Sequence, residues 1–274
     1  MRVEKWQALG NDYLLTEEPV TPAAARLLCD RHTGPGADGV LVLAPPDAAG
    51  FVARLHVFNP DGSEAELSGN GARQALMYLH RRGWTSARTF SIQTIAGEVR
   101  VTVLDERTCR TDLGRARLFS PDFPSGGPDG VGEVDGVAFQ HVSIGNPQCA
   151  FEVPDAAALA ALDLAAIGPA VQASPLFPNR TNVSWWTAVG PAAIRARIFE
   201  RGVGETRSSG TGATGAAVAH VLRGGDSPVT VHLDGGELEV DVGENLHIDL
   251  TGWAVPVYAA TLSEELVAVL RTAR

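Results

Sequence analysis

Cysteine is scarce in this sequence, and spacings typical of metal ligands are missing. Three cysteines lie far apart in 274 residues, at Cys29, Cys109 and Cys149. Such isolated thiols form neither a disulfide framework nor a paired set of zinc ligands, so we expect them to be reduced and buried. The histidines are His32, His56, His80, His141, His220, His232 and His247. None are spaced as His-x-His or His-Glu-x-x-His, and we expect no metal.

Basic side chains and long apolar runs are also few. Lys and Arg number 22 against 32 Asp and Glu, for a formal net charge of −10. A chain with this balance offers little to attract nucleic acid or an anionic membrane. No stretch approaches about eighteen uncharged apolar residues, and the first residues lack the apolar segment of a signal peptide. We therefore expect a cytoplasmic protein with neither a nucleic-acid nor a membrane partner.

The chain repeats itself at about half its length. Residues 54–83 align without a gap on residues 195–224 at a constant offset of 141. The matched residues include Phe58 with Phe199, Glu64 with Glu205, Ser68-Gly69 with Ser209-Gly210, and Gly71-Ala72 with Gly212-Ala213. Two shorter matches keep the same order, namely Gly10-Asn11 with Gly145-Asn146 and AGEVRV with GGELEV. Matches in one order indicate an internally duplicated chain.

Strand-like and helix-like patterns recur in both halves. Segments such as RLHVF, EVRVTVL, IRARIF and ELEVDV alternate with the period of two expected of strands. One helix per half, roughly Gly71 to Arg82 and Gly212 to Arg223, is apolar nearly all round and needs to be surrounded. We predict an α+β fold of two pseudo-symmetric domains, each a curved, mostly antiparallel sheet around a central helix, with the active-site cleft between them.

The join between the halves is predicted near residue 118. Residues 123–136, rich in Gly, Pro and Asp, have turn composition and lie close to it. The predicted domains are residues 1–118 and 119–262, with a C-terminal helix over 263–274 packing back on the first domain.

In both halves a polar loop leads through Ser-Gly-x-Gly-Ala into the central helix. Ser68 and Ser209 therefore lie at a helix N-terminus, where unpaired N–H groups and the macrodipole favour an anion such as a substrate carboxylate. A simpler interpretation makes each serine only an N-cap and the glycines only a turn. That interpretation is weaker for two matched copies than for one.

A dinucleotide site is a competing interpretation of the second loop. Residues 210–215 fit G-x-G-x-x-G, and Asp234 follows at the end of an apparent strand. However, a polar loop separates Phe199 from Gly210, whereas the fingerprint follows a strand directly. The first half also has Gln74 in place of the third glycine. We treat a dinucleotide-binding protein as the weaker alternative.

Six segments resemble the diaminopimelate epimerase family in its order and span nearly the whole chain. They are ALGNDY, DRHTGPGADG, FNPDGSEAELSGNGAR, SIGNPQC, PNRTNVSW and FERGVGETRSSGTGA. The resemblance implies two pseudo-symmetric domains and inversion at Cα without pyridoxal phosphate or any other cofactor. It also leaves a homodimer as a candidate assembly.

The resemblance further implies a substrate site, residue by residue. Contacts with the α-carboxylate and α-amino group fall to Gly69, Asn70, Gly210 and Thr211. Recognition of the second amino-carboxylate end falls to Asn59, Asn146, Asn182, Glu200 and Arg201, with Asn11 at the same cleft. A guanidinium can fork onto a carboxylate while a carboxylate takes an ammonium, so the Glu-Arg pair suits a dipolar end. Outside this context the same residues would be a surface ion pair and turn asparagines.

The departure from the family lies at the chemistry. In the family one cysteine thiolate removes the Cα proton and a thiol on the opposite face delivers another; Ser68 and Ser209 hold those positions here. Thiols ordinarily have a pKa of about 8.5, and a helix N-terminus lowers that pKa. A serine hydroxyl is a far weaker acid and needs an adjacent base, and the sequence names no obvious one. Smaller departures are Gln148, where the family usually has histidine, and Trp185.

Four explanations of the two serines stay open. They are substitutions that trap a complex, natural serines with slow or altered epimerisation, a different base such as Asp12 or Glu205, or binding without turnover. We predict a cofactor-independent epimerase, an isomerase that interconverts LL- and meso-diaminopimelate in lysine and cell-wall precursor biosynthesis. The alternatives are a racemase for another amino acid such as histidine, an isomerase with a carboxylate base, or a non-catalytic amino-acid-binding module.

Overall fold

The computed structural model describes residues 1–273 and is dominated by strands. The strands are β1 (Arg2–Ala8), β2 (Asn11–Thr16), β3 (Val40–Ala44), β4 (Arg54–Phe58), β5 (Glu64–Ala65), β6 (Thr89–Thr94), β7 (Gly97–Val103), β8 (Thr108–Arg115), β9 (Val131–Val134), β10 (Val137–Ser143), β11 (Pro147–Glu152), β12 (Asn182–Gly190), β13 (Ala193–Glu200), β14 (Gly204–Thr206), β15 (Val229–Leu233), β16 (Gly236–Val242), β17 (His247–Trp253) and β18 (Val255–Thr261). The helices are α1 (Pro22–Cys29), α2 (Gly69–Arg81), α3 (Ala156–Ala161), α4 (Leu164–Gln172), α5 (Gly210–Leu222) and α6 (Glu264–Thr272). Among the described helices, none has the length and apolar character needed to cross a membrane.

The chain forms two compact units at limits that differ from the predicted ones. Unit 1 comprises residues 1–111 and the chain from residue 252 onward, and unit 2 comprises residues 112–251. The prediction assigned 112–118 to the first domain and 252–262 to the second. Strand β18 belongs to unit 1 because it pairs antiparallel with β1, a pairing across the length of the chain that local composition does not encode.

Unit 1 is a mixed sheet whose pairings are mostly antiparallel. Strand β1 pairs antiparallel with β2 and β18, β2 runs parallel to β3, and β3 pairs antiparallel with β4. Strand β4 forms an antiparallel hairpin with β5 and runs parallel to β6, which pairs antiparallel with β7. Helices α1 and α6 contribute Leu28 and Leu270 to a buried cluster with Val3 and Leu14 from the sheet. The C-terminal helix therefore packs on unit 1.

Unit 2 repeats this arrangement strand by strand. Strand β10 pairs antiparallel with β11, β11 runs parallel to β12, and β12 pairs antiparallel with β13. Strand β13 forms an antiparallel hairpin with β14 and runs parallel to β15, which pairs antiparallel with β16. The same succession of parallel and antiparallel pairings in both units confirms the predicted internal duplication and the mostly antiparallel sheets.

One long helix in each unit is enclosed by strands. Helix α2 contacts β1, β2, β3, β4 and β7, and α5 contacts β10 to β13, β15 and β16. Ten successive residues are buried in α2, from Asn70 to Leu79. Both helices begin two residues earlier than predicted, because Ser68 and Ser209 cap them and bring the glycines into the first turn. The prediction of a surrounded apolar helix in each half is confirmed.

Two turn predictions had different outcomes. Residues 123–136 are not all turn: Val131–Val134 forms β9, which pairs antiparallel with β10. The matched Gly10 and Gly145 lie in the β1–β2 and β10–β11 turns with φ of 84° and 85°. This left-handed region favours glycine, so the repeat in the sequence reflects one backbone requirement met twice.

Candidate functional site

The two predicted catalytic positions have the same local structure. Each serine is in extended conformation at the N-cap of its helix, with the Ser68 Oγ 3.1 Å from the Gly71 N and the Ser209 Oγ 3.2 Å from the Gly212 N. In both cases the hydroxyl oxygen accepts the N–H of the third helical residue, the ordinary bond of a serine N-cap. Both serines therefore cap their helices, and their second hydrogen bonds decide what else they can do.

In unit 2 the second partner of Ser209 is a buried carboxylate. The Ser209 hydroxyl donates to Glu200 Oε2 at 3.0 Å, and the Thr206 hydroxyl donates to Glu200 Oε1 at 2.8 Å. Glu200 ends β13, and the β13–β14 hairpin brings the loop back to it through the pairing of Glu200 with Gly204. Burial raises the pKa of the Glu200 carboxyl, although the two hydroxyl donors oppose the rise. A carboxylate whose pKa is raised is a stronger base, so Glu200 is suited to accept a proton from the serine.

In unit 1 the second partner of Ser68 is a phenol. The Tyr13 hydroxyl donates to Ser68 Oγ at 3.1 Å across 55 residues of sequence. Tyr13 lies on β2 and is 6% exposed. Tyr13 was not among the predicted site residues, because only its aromatic character belongs to the ALGNDY motif. An aromatic residue two positions after the turn asparagine was the available signal.

Neither alternative base named from the sequence is suited to that role. Both carboxylate oxygens of Asp12 are held, with Lys5 Nζ at 2.6 Å from Oδ2 and Arg31 Nη2 at 2.7 Å from Oδ1. Burial by itself would raise the pKa of Asp12, but hydrogen bonds from Arg31 and Lys5 outweigh it and lower the pKa to about 2. Glu205 accepts from Arg197 Nε and Nη2 at 3.0 and 2.7 Å. The carboxylate beside a serine is Glu200.

The hydrogen bonds of the other predicted residues of unit 2 fall into two groups. The Asn146 side chain donates to Thr211 Oγ1 at 3.2 Å in the first turn of α5 and accepts from Gln148 Nε2 at 2.7 Å. The Asn182 Oδ1 accepts the Arg201 backbone N–H at 2.8 Å, next to Glu200. The Arg201 guanidinium donates to the carbonyl of residue 179 at 2.9 Å and is on an exposed residue. Gly210 is the first residue of α5.

Three further predicted residues of unit 1 lie at the start of α2 and in the turn after β4. Gly69 and Asn70 open α2, and the Asn70 Oδ1 accepts a hydrogen bond from Arg73, which is fully buried. Asn59 lies in a turn, where its side chain donates to the Ser63 Oγ at 3.0 Å.

Asn11 joins the first turn of the chain to α2 and to a neighbouring carboxylate. Its side chain donates to Asp38 Oδ2 at 2.8 Å, while its carbonyl accepts from Gln74 Nε2 at 3.0 Å. The Gln74 that broke the dinucleotide pattern in the first half therefore fastens this turn to the helix. That Ser68 and Ser209 face one cleft stays a prediction.

The glycines that suggested a dinucleotide fingerprint have a packing explanation. A Cβ on Gly212 would lie 2.8 Å from two carbons of Ile198, and a Cβ on Gly215 would lie 2.8 Å from the Gln148 Cβ. The loop before α5 follows β14, which is antiparallel to its neighbour β13. These glycines let α5 approach the sheet closely, and the parallel strand–loop–helix context of a dinucleotide site is not what precedes them.

Three side chains of metal-binding type, which match no ligand spacing in the sequence, lie close together elsewhere in unit 2. One ligand atom each of Asp112, His247 and Asp249 lies within 4.8 Å of the others. This is the one such group of three or more among residues 1–273. The Asp112 and His247 side chains are 40% and 49% exposed, and exposed acidic groups are common without an ion. We assign this cluster no role.

Comparison with known proteins agrees with the duplicated arrangement. The sequence matches the family described as diaminopimelate epimerase over residues 5–119 and 140–255. It is 39% identical to a diaminopimelate epimerase of Pelotomaculum thermopropionicum, with 94% of this chain and 98% of that protein covered. It is 37% identical to one of Desulfitobacterium hafniense, covering 97% and 99%.

A solved structure supports the fold separately. A probable proline racemase from Agrobacterium radiobacter superposes with a TM-score of 0.71 at 16% identity, covering 96% of this chain and 93% of that one. At this identity the likeness is one of fold alone.

Proposed function

Because the chain belongs to the diaminopimelate epimerase family, we propose that it interconverts LL- and meso-diaminopimelate by exchanging the Cα proton without a cofactor. The proton-transfer residues in this proposal are Ser68 and Ser209. The reaction serves the biosynthesis of lysine and cell-wall precursors. We also propose a cytoplasmic location and keep a homodimer as a candidate assembly.

One observation carries the proposal. In each unit a serine hydroxyl at the N-terminus of the enclosed helix is hydrogen-bonded to an ionisable side chain, Glu200 for Ser209 and Tyr13 for Ser68. A lone serine would be a poor proton acceptor. A hydroxyl that can pass its proton to a neighbouring carboxylate is a competent one, as in other nucleophile–base pairs.

The chemistry at Ser209 follows from its hydrogen bonds. A hydroxyl has one donor and two acceptor positions. At Ser209 the donor position is directed at Glu200 and one acceptor position takes the Gly212 N–H, which leaves one lone pair for an incoming proton. As the Cα proton moves to Ser209 Oγ, the serine's own proton moves to Glu200 Oε2. The charge then rests on no alkoxide at any stage of a concerted transfer.

The proposal assigns binding of the substrate's α-carboxylate to the N-termini of α5 and α2. The first N–H groups of a helix have no partner within it, and the dipole favours an anion there. The cap bond uses the third residue of α5, so the proposal assigns Gly210 and Thr211 to the carboxylate. The duplication carries this over to Gly69 and Asn70 of α2.

The far end of diaminopimelate is a second amino acid group, and four side chains are proposed to recognise it. They are Asn59, Asn146, Asn182 and Arg201; Asn11 is proposed as a further substrate-binding residue. Arg201 supplies the guanidinium for the distal carboxylate. The proposed part of Glu200 is to take the proton of Ser209, whose hydroxyl donates to it, in place of the capture of the ammonium implied by the resemblance.

A second candidate stays within the same fold. The carboxylate beside Ser209 favours an isomerase in which Glu200 itself removes the proton from a different amino acid. Incorporation of deuterium from D₂O at Cα, measured by mass spectrometry for a panel of amino acids, tests both. Exchange with diaminopimelate above all others supports the proposal, and exchange with another amino acid moves the function to that substrate. No exchange with any amino acid rules out both and leaves a binding protein.

A further inference from the structure

We infer that Tyr13 is a positioning residue that supplies Ser68 with its proton, so that each unit backs its serine with one ionisable side chain taken from a different strand. This inference rests on the proposed function and deepens it. It concerns Ser68, whose hydroxyl is bonded to a phenol and not to a carboxylate.

The duplication shows that the two partners are not copies of each other. Strand register counted from the matched phenylalanines runs Phe58, Val40, Leu14 in unit 1 and Phe199, Val183, Cys149 in unit 2. One residue earlier on each strand, Tyr13 is therefore equivalent to Gln148. At the constant offset of the repeat, Asn59 is equivalent to Glu200. Each unit thus has one amide and one ionisable group at these two positions, in exchanged places.

The hydrogen bonds at Ser68 give it the opposite character to Ser209. Its oxygen accepts from both the Gly71 N–H and the Tyr13 hydroxyl, each at 3.1 Å. Because a hydroxyl has two acceptor positions, both are occupied, and the hydroxyl proton of Ser68 is what remains to be offered. Ser68 is thereby set to deliver a proton, whereas Ser209 is set to accept one.

The phenol is held in place by close packing. A Cβ on Gly39 would lie 2.5 Å from the Tyr13 Cε1 and 2.6 Å from the Phe58 carbonyl oxygen. Gly39 is buried and has no side chain, so the ring fits against its backbone. On the other edge of β2, Tyr13 is paired with Trp6 of β1, which is 1% exposed. A ring enclosed in this way has little freedom to swing away from Ser68.

The proton balance closes with these two pairs. Ser68 gives its proton to Cα and forms the new C–H bond, and the Tyr13 proton moves to Ser68 Oγ. The Cα proton lost from the starting isomer goes to Ser209, whose own proton goes to Glu200. Overall one proton leaves Tyr13 and one arrives on Glu200, and the reverse reaction or exchange with water restores both. A phenol is a stronger acid than an aliphatic hydroxyl, so the charge rests on a phenolate and not on a far less stable alkoxide.

The first test compares Tyr13→Phe with Tyr78→Phe. Both tyrosines are in unit 1 and nearly buried, at 6% and 7% exposed, and the Tyr78 hydroxyl donates to Glu17 at 2.8 Å. Phenylalanine keeps the ring against Gly39 and removes only the hydroxyl. Tyr13→Phe should lower kcat for epimerisation by about a hundredfold with KM little changed, and Tyr78→Phe should leave kcat near wild type.

Isotope distribution separates proton delivery from a merely structural effect. In D₂O, Tyr13→Phe should slow conversion to product more than it slows deuterium return to the starting isomer whose Cα proton Ser209 removes. A structural defect would slow both together. Wild-type rates of conversion in Tyr13→Phe, from a wild type that itself epimerises diaminopimelate, would overturn the inference and leave the proposed function standing.

A second readout does not depend on turnover. Ser68→Cys places a thiol beside the Tyr13 hydroxyl, and the pH dependence of its alkylation gives the thiol pKa. Adding Tyr13→Phe should raise that pKa by about 1, since a donor that stabilises the thiolate is removed. Background should be small because burial raises the pKa of Cys29 and of Cys109 to about 11.

The two readouts distinguish the two failures. If the wild type does not exchange Cα hydrogen in diaminopimelate, the proposed function fails, and the alkylation experiment still decides whether Tyr13 donates to position 68. A thiol pKa that is the same with and without the Tyr13 hydroxyl overturns the inference whatever the activity. A rise with Tyr13→Phe and none with Tyr78→Phe supports it.

Discussion

Replacement of Glu200 by glutamine should remove most of the proposed proton transfer while preserving the fold. Glutamine has nearly the same volume, but its amide cannot take up a proton from Ser209 and accepts a hydroxyl only at its single carbonyl oxygen. In the wild type both carboxylate oxygens accept, one from Ser209 and one from Thr206. A positioned general base contributes about a hundredfold to ten-thousandfold. We expect Cα deuterium exchange to fall by a factor in that range.

The same replacement should leave thermal stability unchanged or raise it near neutral pH. Burial raises the pKa of Glu200 even though two hydroxyls donate to it, so the ionised carboxyl is less favourable in the folded chain than in the unfolded one. A raised folded-state pKa contributes stability below the unfolded value of about 4.3, and that contribution is lost as the pH rises through the folded value. Near neutral pH, Glu200→Gln should therefore unfold at or above the wild-type temperature, and this advantage should disappear in acid.

The matched control is Glu205→Gln, five residues away. Glu205 is held by Arg197 and not by a serine, so its replacement should change the exchange rate by less than about tenfold, the lower limit expected for Glu200 being about a hundredfold. Initial rates of deuterium incorporation at Cα, measured across pH, give both comparisons. The wild-type rate should fall on the acid side at a pH above the ordinary glutamate value, because protonated Glu200 cannot accept. Equal losses in the two variants would refute the assignment of Glu200 as base.

Three further outcomes are expected. The double change Ser68→Cys with Ser209→Cys should raise epimerisation at least about a hundredfold, and either single change much less; a folded, substrate-binding double variant without exchange would mean that these positions do not transfer protons. Arg201→Ala should weaken binding of diaminopimelate by at least about 1.5 kcal/mol. An unchanged affinity in calorimetry would refute the assignment of Arg201 to the distal carboxylate. Gly212→Ala should destabilise the protein by about 1–3 kcal/mol through overpacking against Ile198, as measured by urea unfolding; full stability would contradict the close approach of α5 to the sheet.

Features that depend on short stretches of chain were predictable from the sequence. Strands such as β4 and β13 have a period of two that any short window contains, and the two Ser-Gly-x-Gly-Ala motifs identify helix starts because an N-cap involves only four consecutive residues. The duplication was predictable for a related reason. The same backbone turns, including those at Gly10 and Gly145, require the same residue types in both halves. The candidate proton-transfer positions followed from these local patterns.

Pairings between distant segments were decided only by the tertiary structure. Judged by residue type alone, Asp12 and Glu205 were reasonable bases. In the structure their carboxylates are held in ion pairs with Lys5, Arg31 and Arg197. Glu200 is brought to Ser209 by the β13–β14 hairpin. Tyr13 is held beside Ser68 by the packing of its ring against Gly39. The strength of a proton donor or acceptor depends on burial and on which groups surround it. Those surroundings are set by chain segments that are far apart in sequence, so no local pattern contains them.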